Sequence, residues 1–261
     1  MRLFDTHCHF ETSDRATIAA QLERAKASGV ERILAVGGSP ALDAAAALAA
    51  EIAAADPSRY PSVAFAAGCD RDQCGTADPD RLPDPPAGAV AVGEIGLDYH
   101  YSPETREAQL RLFAAQLEQA RAHGLPVIVH TREADDDTLA LLREIPSRGV
   151  IHCFTGTPGF ARRLVDLGFF ISISGIVTFR SADNVRVSAL ALPDDRMLIE
   201  TDAPYLAPVP MRGSPNESSY IVHTCRFLAE LRRTDAETLA ELTFANGERM
   251  LRGCDFKSLK K

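Results

Sequence analysis

Long apolar runs are missing from this chain of 261 residues. No stretch of about 18 consecutive apolar residues occurs, so no helical membrane span and no membrane partner are expected. The N-terminal stretch shows no charged segment followed by an apolar one, so we expect no secretory leader and a cytoplasmic location. Lysine is scarce: Lys26, Lys257, Lys260 and Lys261 are the only ones, and arginine carries nearly all the positive charge. The formal net charge is −8. A field of that sign does not attract nucleic acid, and a protein that grips duplex backbone generally shows a basic patch. The six cysteines, Cys8, Cys69, Cys74, Cys153, Cys225 and Cys254, have no paired spacing. Cys69 and Cys74 form no zinc-ribbon pattern, and reduced packing residues are expected. Internal repeats, low-complexity linkers and a Gly-x-Gly-x-x-Gly fingerprint are also missing.

What is present alternates in type. Short apolar runs read as strands at Leu3–His9, Val30–Val36, Ser62–Ala67, Ala89–Ile95, Pro126–His130, Gly149–Cys153, Phe169–Ser174 and Arg196–Thr201. Helical periodicity lies between most of them, at Arg15–Ser28, Ala41–Ala55, Glu104–His123, Asp135–Glu144, Gly159–Leu167 and Ala182–Leu192. Two further helices follow near Glu217–Arg232 and Ala236–Leu251. The proline- and aspartate-rich stretch Cys69–Gly88 reads as mostly loop. Eight strands alternating with helices point to an α/β fold, a (β/α)8 TIM barrel with extra C-terminal helices. One domain over residues 1–261 is expected, with an open doubly wound sheet as the alternative.

Ionisable residues sit at the ends of five of these strands. His7 and His9 end the first, Glu94 the fourth, His130 the fifth, His152 the sixth and Asp202 the eighth. In a barrel, strand C-termini open on one face, where these six would converge. Apolar strands do not bury imidazole and carboxylate without hydrogen-bond or metal partners. His7 and His9, two apart on a strand, point to one face and can share an ion. Four histidines and two carboxylates suit two divalent ions. His7 and His9 would serve one ion and His130 and His152 the other, with Glu94 bridging ions about 3.5–4 Å apart. Asp202 would ligate the first ion or take a proton from bound water. Asp5 shares the i, i+2 relation with His7, so it is expected to orient a ligand imidazole. Cys8 points the other way and packs. His123 and His223 read as structural, and His100 lies within reach of either substrate or solvent.

These residues form part of a larger ordered set: Asp5-x-His7-x-His9, Gly93-Glu94-Ile95-Gly96-Leu97-Asp98, Pro126-Val127-x-x-His130-x-Arg132 and His152-Cys153-Phe154-x-Gly156. It continues with Ser174-Gly175-Ile176-Val177-Thr178-Phe179, Glu200-Thr201-Asp202-Ala203-Pro204-Tyr205, Arg212-Gly213-x-x-Asn216-Glu217, Asn246 and Arg249. Over nearly its whole length the chain resembles the TatD-type metal-dependent deoxyribonucleases of the amidohydrolase-like superfamily. The resemblance implies a barrel with two divalent ions (Mg²⁺, Mn²⁺ or Zn²⁺). It implies His7, His9, Glu94 and Asp202 at the first ion and Glu94, His130 and His152 at the second. It also implies phosphodiester hydrolysis, with DNA or oligonucleotide ends as substrate. Asp202 and Glu94 are the expected catalytic residues, in a 3′-to-5′ exonuclease acting as a monomer. Arg132 and Arg212 are expected to hold phosphate oxygens through their planar forks.

One departure stands out. The family commonly has Gly-x-His-Pro after the third strand, whereas this chain has Gly68-Cys69-Asp70-Arg71. An anionic Asp70 there would repel phosphate unless it is turned away or paired with Arg71. Two other functions stay open. One is an amidohydrolase-like enzyme acting on a small amide, lactone or phosphoester; the other is a non-catalytic nucleic-acid-binding protein. No lysine lies near a strand end, which argues against a metal pair bridged by a carboxylated lysine.

Overall fold

The computed structural model describes residues 1–252; Cys254, Lys257, Lys260 and Lys261 lie outside the described residues. Eight strands lie in sequence order in a single sheet, and every neighbouring pair is parallel. They are β1 (Leu3–Cys8), β2 (Val30–Gly38), β3 (Ser62–Cys69), β4 (Ala91–Asp98), β5 (Val127–Arg132), β6 (Gly149–Ile151), β7 (Phe170–Ile173) and β8 (Met197–Ile199). The first strand meets the last just beyond β8. Cys8 bridges Ala203, the Asp202 N–H donates to the His7 carbonyl at 2.9 Å, and the His9 N–H donates to the Ala203 carbonyl at 2.7 Å. The fold is therefore a (β/α)8 TIM barrel.

Helices α1 (Arg15–Ala27) and α2 (Pro40–Ala55) follow β1 and β2. Helix α3 (Arg106–His123) follows β4, and α4 (Asp135–Glu144), α5 (Pro158–Asp166) and α6 (Asp183–Ala191) follow the next three strands. Their starts are set locally. Asp14, Ser39 and Thr157 cap α1, α2 and α5 by accepting a backbone N–H three residues on, which satisfies an otherwise orphaned donor. Pro40 and Pro158 occupy the first helical positions, where no N–H is needed. The third crossover carries no α-helix, only 3₁₀ turns at Arg71–Gln73 and Pro79–Arg81. Helices α7 (Ile221–Arg232) and α8 (Ala236–Met250) follow β8.

The strands alternate between two apolar layers. Ile33, Phe65, Val129 and Ile171 face the helices. Leu34, Ala64, Ile128, Val150 and Leu198 fill the barrel, where Phe244 and Met250 of α8 close the end near Phe4. The rings of Phe4 and Phe244 lie 5.9 Å apart. Among the described residues no helix is long and apolar enough to cross a membrane, and the five described cysteines are free.

The alternation breaks once in β1. Asp5 pairs with Ile33 and Cys8 with Ala35, so β1 advances three residues while β2 advances two. That bulge inverts the side-chain phase between Asp5 and His7. Thr6 points into the barrel, where its hydroxyl bonds to the Ile199 carbonyl at 3.0 Å, and Cys8 packs in the outer layer. The expectation that Asp5 shares a face with His7 and orients an imidazole is thereby corrected. The Asp5 carboxylate instead accepts from the Thr201 N–H at 2.9 Å, the Thr201 hydroxyl at 2.7 Å and the Ser218 hydroxyl at 2.6 Å. It anchors the segment that carries Asp202.

Asp43, in the first turn of α2, ties the ends of β2 and β3. Its Oδ1 accepts from the Gly38 N–H at 3.0 Å and the Gly68 N–H at 3.4 Å. Gly37 is required beside it, since a Cβ there would lie 1.7 Å from that oxygen. Burial pushes the Asp43 carboxyl up from 3.8 to about 6. The folded state therefore holds this proton more firmly than the unfolded state does. The associated stability is present below pH 3.8 and is lost as pH rises through about 6. Asp43→Asn removes that titration. Its melting temperature should rise relative to the parent's as pH increases from about 4 to about 6.5; a difference independent of pH would show that Asp43 ionises normally.

Candidate metal centre

The barrel mouth brings together all six residues expected at the ions. His7 belongs to β1 and His9 follows it; His130 lies in β5; His152 follows β6; Asp202 lies three residues past β8. Glu94 lies within β4 rather than at its end, because that strand continues to Asp98. Two clusters share it. In the first, His7 Nε2 and His9 Nε2 are 3.1 Å apart. Glu94 Oε2 lies 3.5 Å from each, and Asp202 Oδ1 lies 3.7 and 3.8 Å from them. In the second, Glu94 Oε1 is 3.2 Å from His130 Nδ1 and 3.3 Å from His152 Nε2. Those two nitrogens are 3.2 Å from each other. Donors about 2.1 Å from one tetrahedral ion stand about 3.4 Å apart. Both clusters have that spacing.

The hydrogen bonds outside each cluster determine which nitrogen is free. His9 Nδ1 lies 2.8 Å from the Val36 carbonyl, so its proton sits there and Nε2 turns a lone pair inward. Asp98 Oδ2, 3.0 Å from His130 Nε2, leaves His130 Nδ1 free. Glu200 Oε1 faces His152 Nδ1 at 3.4 Å. Burial holds His7 neutral by lowering it to about 4. Lone pairs and carboxylate oxygens therefore converge, an arrangement that only a positive charge stabilises. Without a metal, that charge is protons: burial opposes charging His152, but Glu94 and Glu200 overcome it and raise this imidazole well above its ordinary value. Glu94, opposed by burial but surrounded by His152, His130 and His7, is held well below the usual carboxylate range. The donor set fits divalent metal ions, which would replace those protons.

The TatD related DNase family model matches residues 4–252. The chain belongs to the TatD-related DNase family. It is 48% identical over 166 residues to an uncharacterized metal-dependent hydrolase, YcfH, of Escherichia coli, a match covering 62% of this chain and 63% of that relative. The chain thus spans just under two thirds of YcfH in that match. An uncharacterized metal-dependent hydrolase of Bacillus subtilis, YabD, is 35% identical over 260 residues, or 96% of this chain and 99% of YabD. Among solved structures, the TatD homolog YjjV of Escherichia coli superposes with a TM-score of 0.82 at 30% identity, covering 95% of this chain and 97% of that one.

Around this TatD-family centre lie residues that were not expected beside the ions. Asp98 orients the His130 imidazole through a hydrogen bond, and Glu200 Oε1 lies 3.4 Å from His152 Nδ1. The signal for them was available, since a ligating histidine generally gives its second nitrogen to a carboxylate or carbonyl, and both stand in the ordered motifs. Arg71 carried no such signal. Its Nη1 donates to Glu94 Oε1 at 3.0 Å and to Asp70 Oδ1 at 2.6 Å. Asp70, which stands in place of the family's usual histidine, is therefore paired with Arg71.

The two arginines expected at the substrate differ in setting. Arg132 ends β5 and lines a cavity of about 670 Å³ with Tyr99, Glu133, Asp135, Thr155 and Asn184. Its guanidinium lies 4.7 Å over the Tyr101 ring. Arg212 is exposed, lies 3.9 Å over the Phe179 ring and donates to the Ala207 carbonyl at 3.3 Å. His100 Nδ1 meets Glu133 at 2.7 Å, and His123 Nε2 meets Asp84 at 3.2 Å.

Glu94→Gln keeps the shape of the side chain but replaces one shared oxygen with an N–H₂ donor. The variant should retain its circular dichroism spectrum and lose roughly tenfold or more of its metal affinity, read as bound metal after dialysis. Undiminished metal content would remove Glu94 from the centre.

Proposed function

We propose that this protein is a divalent-metal-dependent deoxyribonuclease that hydrolyses phosphodiester bonds at DNA ends in the 3′-to-5′ direction, acting as a monomer. One observation carries the reading: the two oxygens of Glu94 each face a separate pair of imidazole nitrogens within 3.5 Å. Two ions sharing one carboxylate suit in-line displacement at phosphorus. His7, His9, Glu94 and Asp202 would hold the first ion, and Glu94, His130 and His152 the second. Nitrogen and oxygen donors of this kind accept Mg²⁺, Mn²⁺ or Zn²⁺. When bound, the ions supply a more acidic water and neutralise charge developing on the phosphoryl oxygens.

The chain's own groups do the rest. Asp202 Oδ1 lies 3.7 and 3.8 Å from the Nε2 atoms of His7 and His9, beside the position proposed for the first ion. From there its carboxylate would ligate the ion or take a proton from the attacking water. Arg132 stands two residues beyond His130 on the rim of the cavity, where its fork can hold non-reacting phosphate oxygens. Arg212 would join it by leaving the Phe179 ring. The family's description as DNases supports DNA as the substrate class.

A second reading has one observation in its favour. Glu133, Asp135, Asp136 and Asp137 line the cavity beside Arg132. An acidic wall suits a small ester or amide better than a long polyanion.

Oligonucleotides labelled at either end separate these readings. With Mg²⁺, Mn²⁺ or Zn²⁺, a 5′-labelled strand should shorten stepwise from its 3′ end. Asp202→Asn should lower kcat by about 10²–10⁴-fold. Intact DNA beside hydrolysis of small esters or amides would favour the second reading. No hydrolysis of any substrate would leave a non-catalytic role.

A further inference from the structure

The two ion positions are unequal in one respect. Four donors surround the first: His7, His9, Glu94 Oε2 and Asp202. Three surround the second, and a cation of the chain itself adjoins it. Arg71 Nη1 donates at 3.0 Å to Glu94 Oε1, the oxygen that also faces His130 Nδ1 and His152 Nε2. Arg71 Nε lies 3.6 Å from Asp98 Oδ2, the oxygen that holds His130. The guanidinium thus touches the shared ligand of the second position and the carboxylate that orients another of its ligands. It is placed there by the helix-less third crossover, which turns back at Arg71–Gln73 directly after β3. Asp70 Oδ1 accepts from the same Nη1 at 2.6 Å and helps to fix it.

We propose that Arg71 is a positioning residue that makes the second ion position weaker than the first, so that the protein holds one ion firmly and recruits the other from solution. The inference rests on the two-ion reading of the site. A carboxylate oxygen that already accepts a guanidinium hydrogen bond has less electron density to give a metal. A fixed positive charge next to a divalent ion also repels it. With the Arg71 side chain only 17% exposed, solvent screens that repulsion weakly. Asp70 offsets part of the charge, which makes the pair a graded control rather than a block.

The test titrates metal-stripped full-length protein with Mn²⁺ alone, counting free ion by electron paramagnetic resonance and binding heat by calorimetry. The parent should show two dissociation constants at least about tenfold apart. Arg71→Gln should close that gap to within about threefold by tightening the weaker site alone, and Arg71→Lys, which keeps the charge, should preserve most of it. Asp70→Asn provides an independent arm that does not depend on the folding of Arg71→Gln. It keeps the guanidinium but removes the nearest of its counter-charges, and should widen the gap several-fold. The proposal is overturned if Arg71→Gln leaves the ratio unchanged, shifts both constants together, or shows the same single site as the parent. A gap that stays constant in Asp70→Asn also counts against it. If the parent binds no Mn²⁺, the metal centre itself fails, which is a distinct result.

Discussion

Glu94 imposes the constraint on which the rest of the mouth depends. Each of its two oxygens meets a separate pair of imidazole nitrogens, so four histidines from β1, β5 and β6 must arrive around one carboxylate from β4. Only a closed parallel barrel brings those strand ends to a common point. Closure is made at the site itself, where backbone hydrogen bonds join His7 and His9 to Asp202 and Ala203. The same bonds that complete the barrel deliver the Asp202 carboxylate to the first cluster. The space behind Glu94 is equally tight. A Cβ on Gly38 would lie 3.7 Å from the Glu94 Cβ and 3.2 Å from the Asp70 Cβ, and Gly38 has a φ of +132°, a conformation open mainly to glycine.

A cluster of inward lone pairs is unstable by itself, and its surroundings show how the protein manages this. Hydrogen bonds to the Val36 carbonyl and to Asp98 hold protons on the far side of the His9 and His130 rings and leave their near nitrogens free, and the Glu200 carboxylate lies 3.4 Å from His152 Nδ1. The carboxylates then favour positive charge in the centre, whether as protons on His152 or as metal ions. Asp98 shows the same balance: burial alone would raise it, but the hydrogen bond with His130 leads the groups that bring it down to about 2. Arg71 is a cation supplied by the chain within this acidic shell, and it stands on one side only.

The fold was legible because its signals are local. Apolar runs of strand length, helix caps such as Asp14 and Ser39, and glycines such as Gly124 at the end of α3 mark the elements without reference to distant residues. The structure moves several boundaries by one to three residues. It shortens the sixth and eighth strands to Gly149–Ile151 and Met197–Ile199, because ladder pairing ends before the apolar run does. The side chain of Asp5 was not legible. The i, i+2 rule assumes an unbroken strand, and the bulge in β1 turns Asp5 toward Thr201 and Ser218. Asn246 and Arg249 stood in the motif set without a role, and the structure gives them one. Asn246 donates to the carbonyls of Asp194 and Met197, and Arg249 donates to the Asp195 carbonyl. Together they hold α8 against the start of β8.

The sequence by itself determined which donors are available and which end of the barrel they occupy. A residue type at a strand end is a local property, and parallel strands carry all such ends to the same face. Only the tertiary structure decided how those donors are shared. That Glu94 stands between two imidazole pairs, that Asp98 orients the His130 ring, and that Arg71 reaches Glu94 Oε1 are facts of distance between segments tens of residues apart. Such distances depend on the register of neighbouring strands and on the path of a helix-less loop, and neither is written in any local pattern of residues.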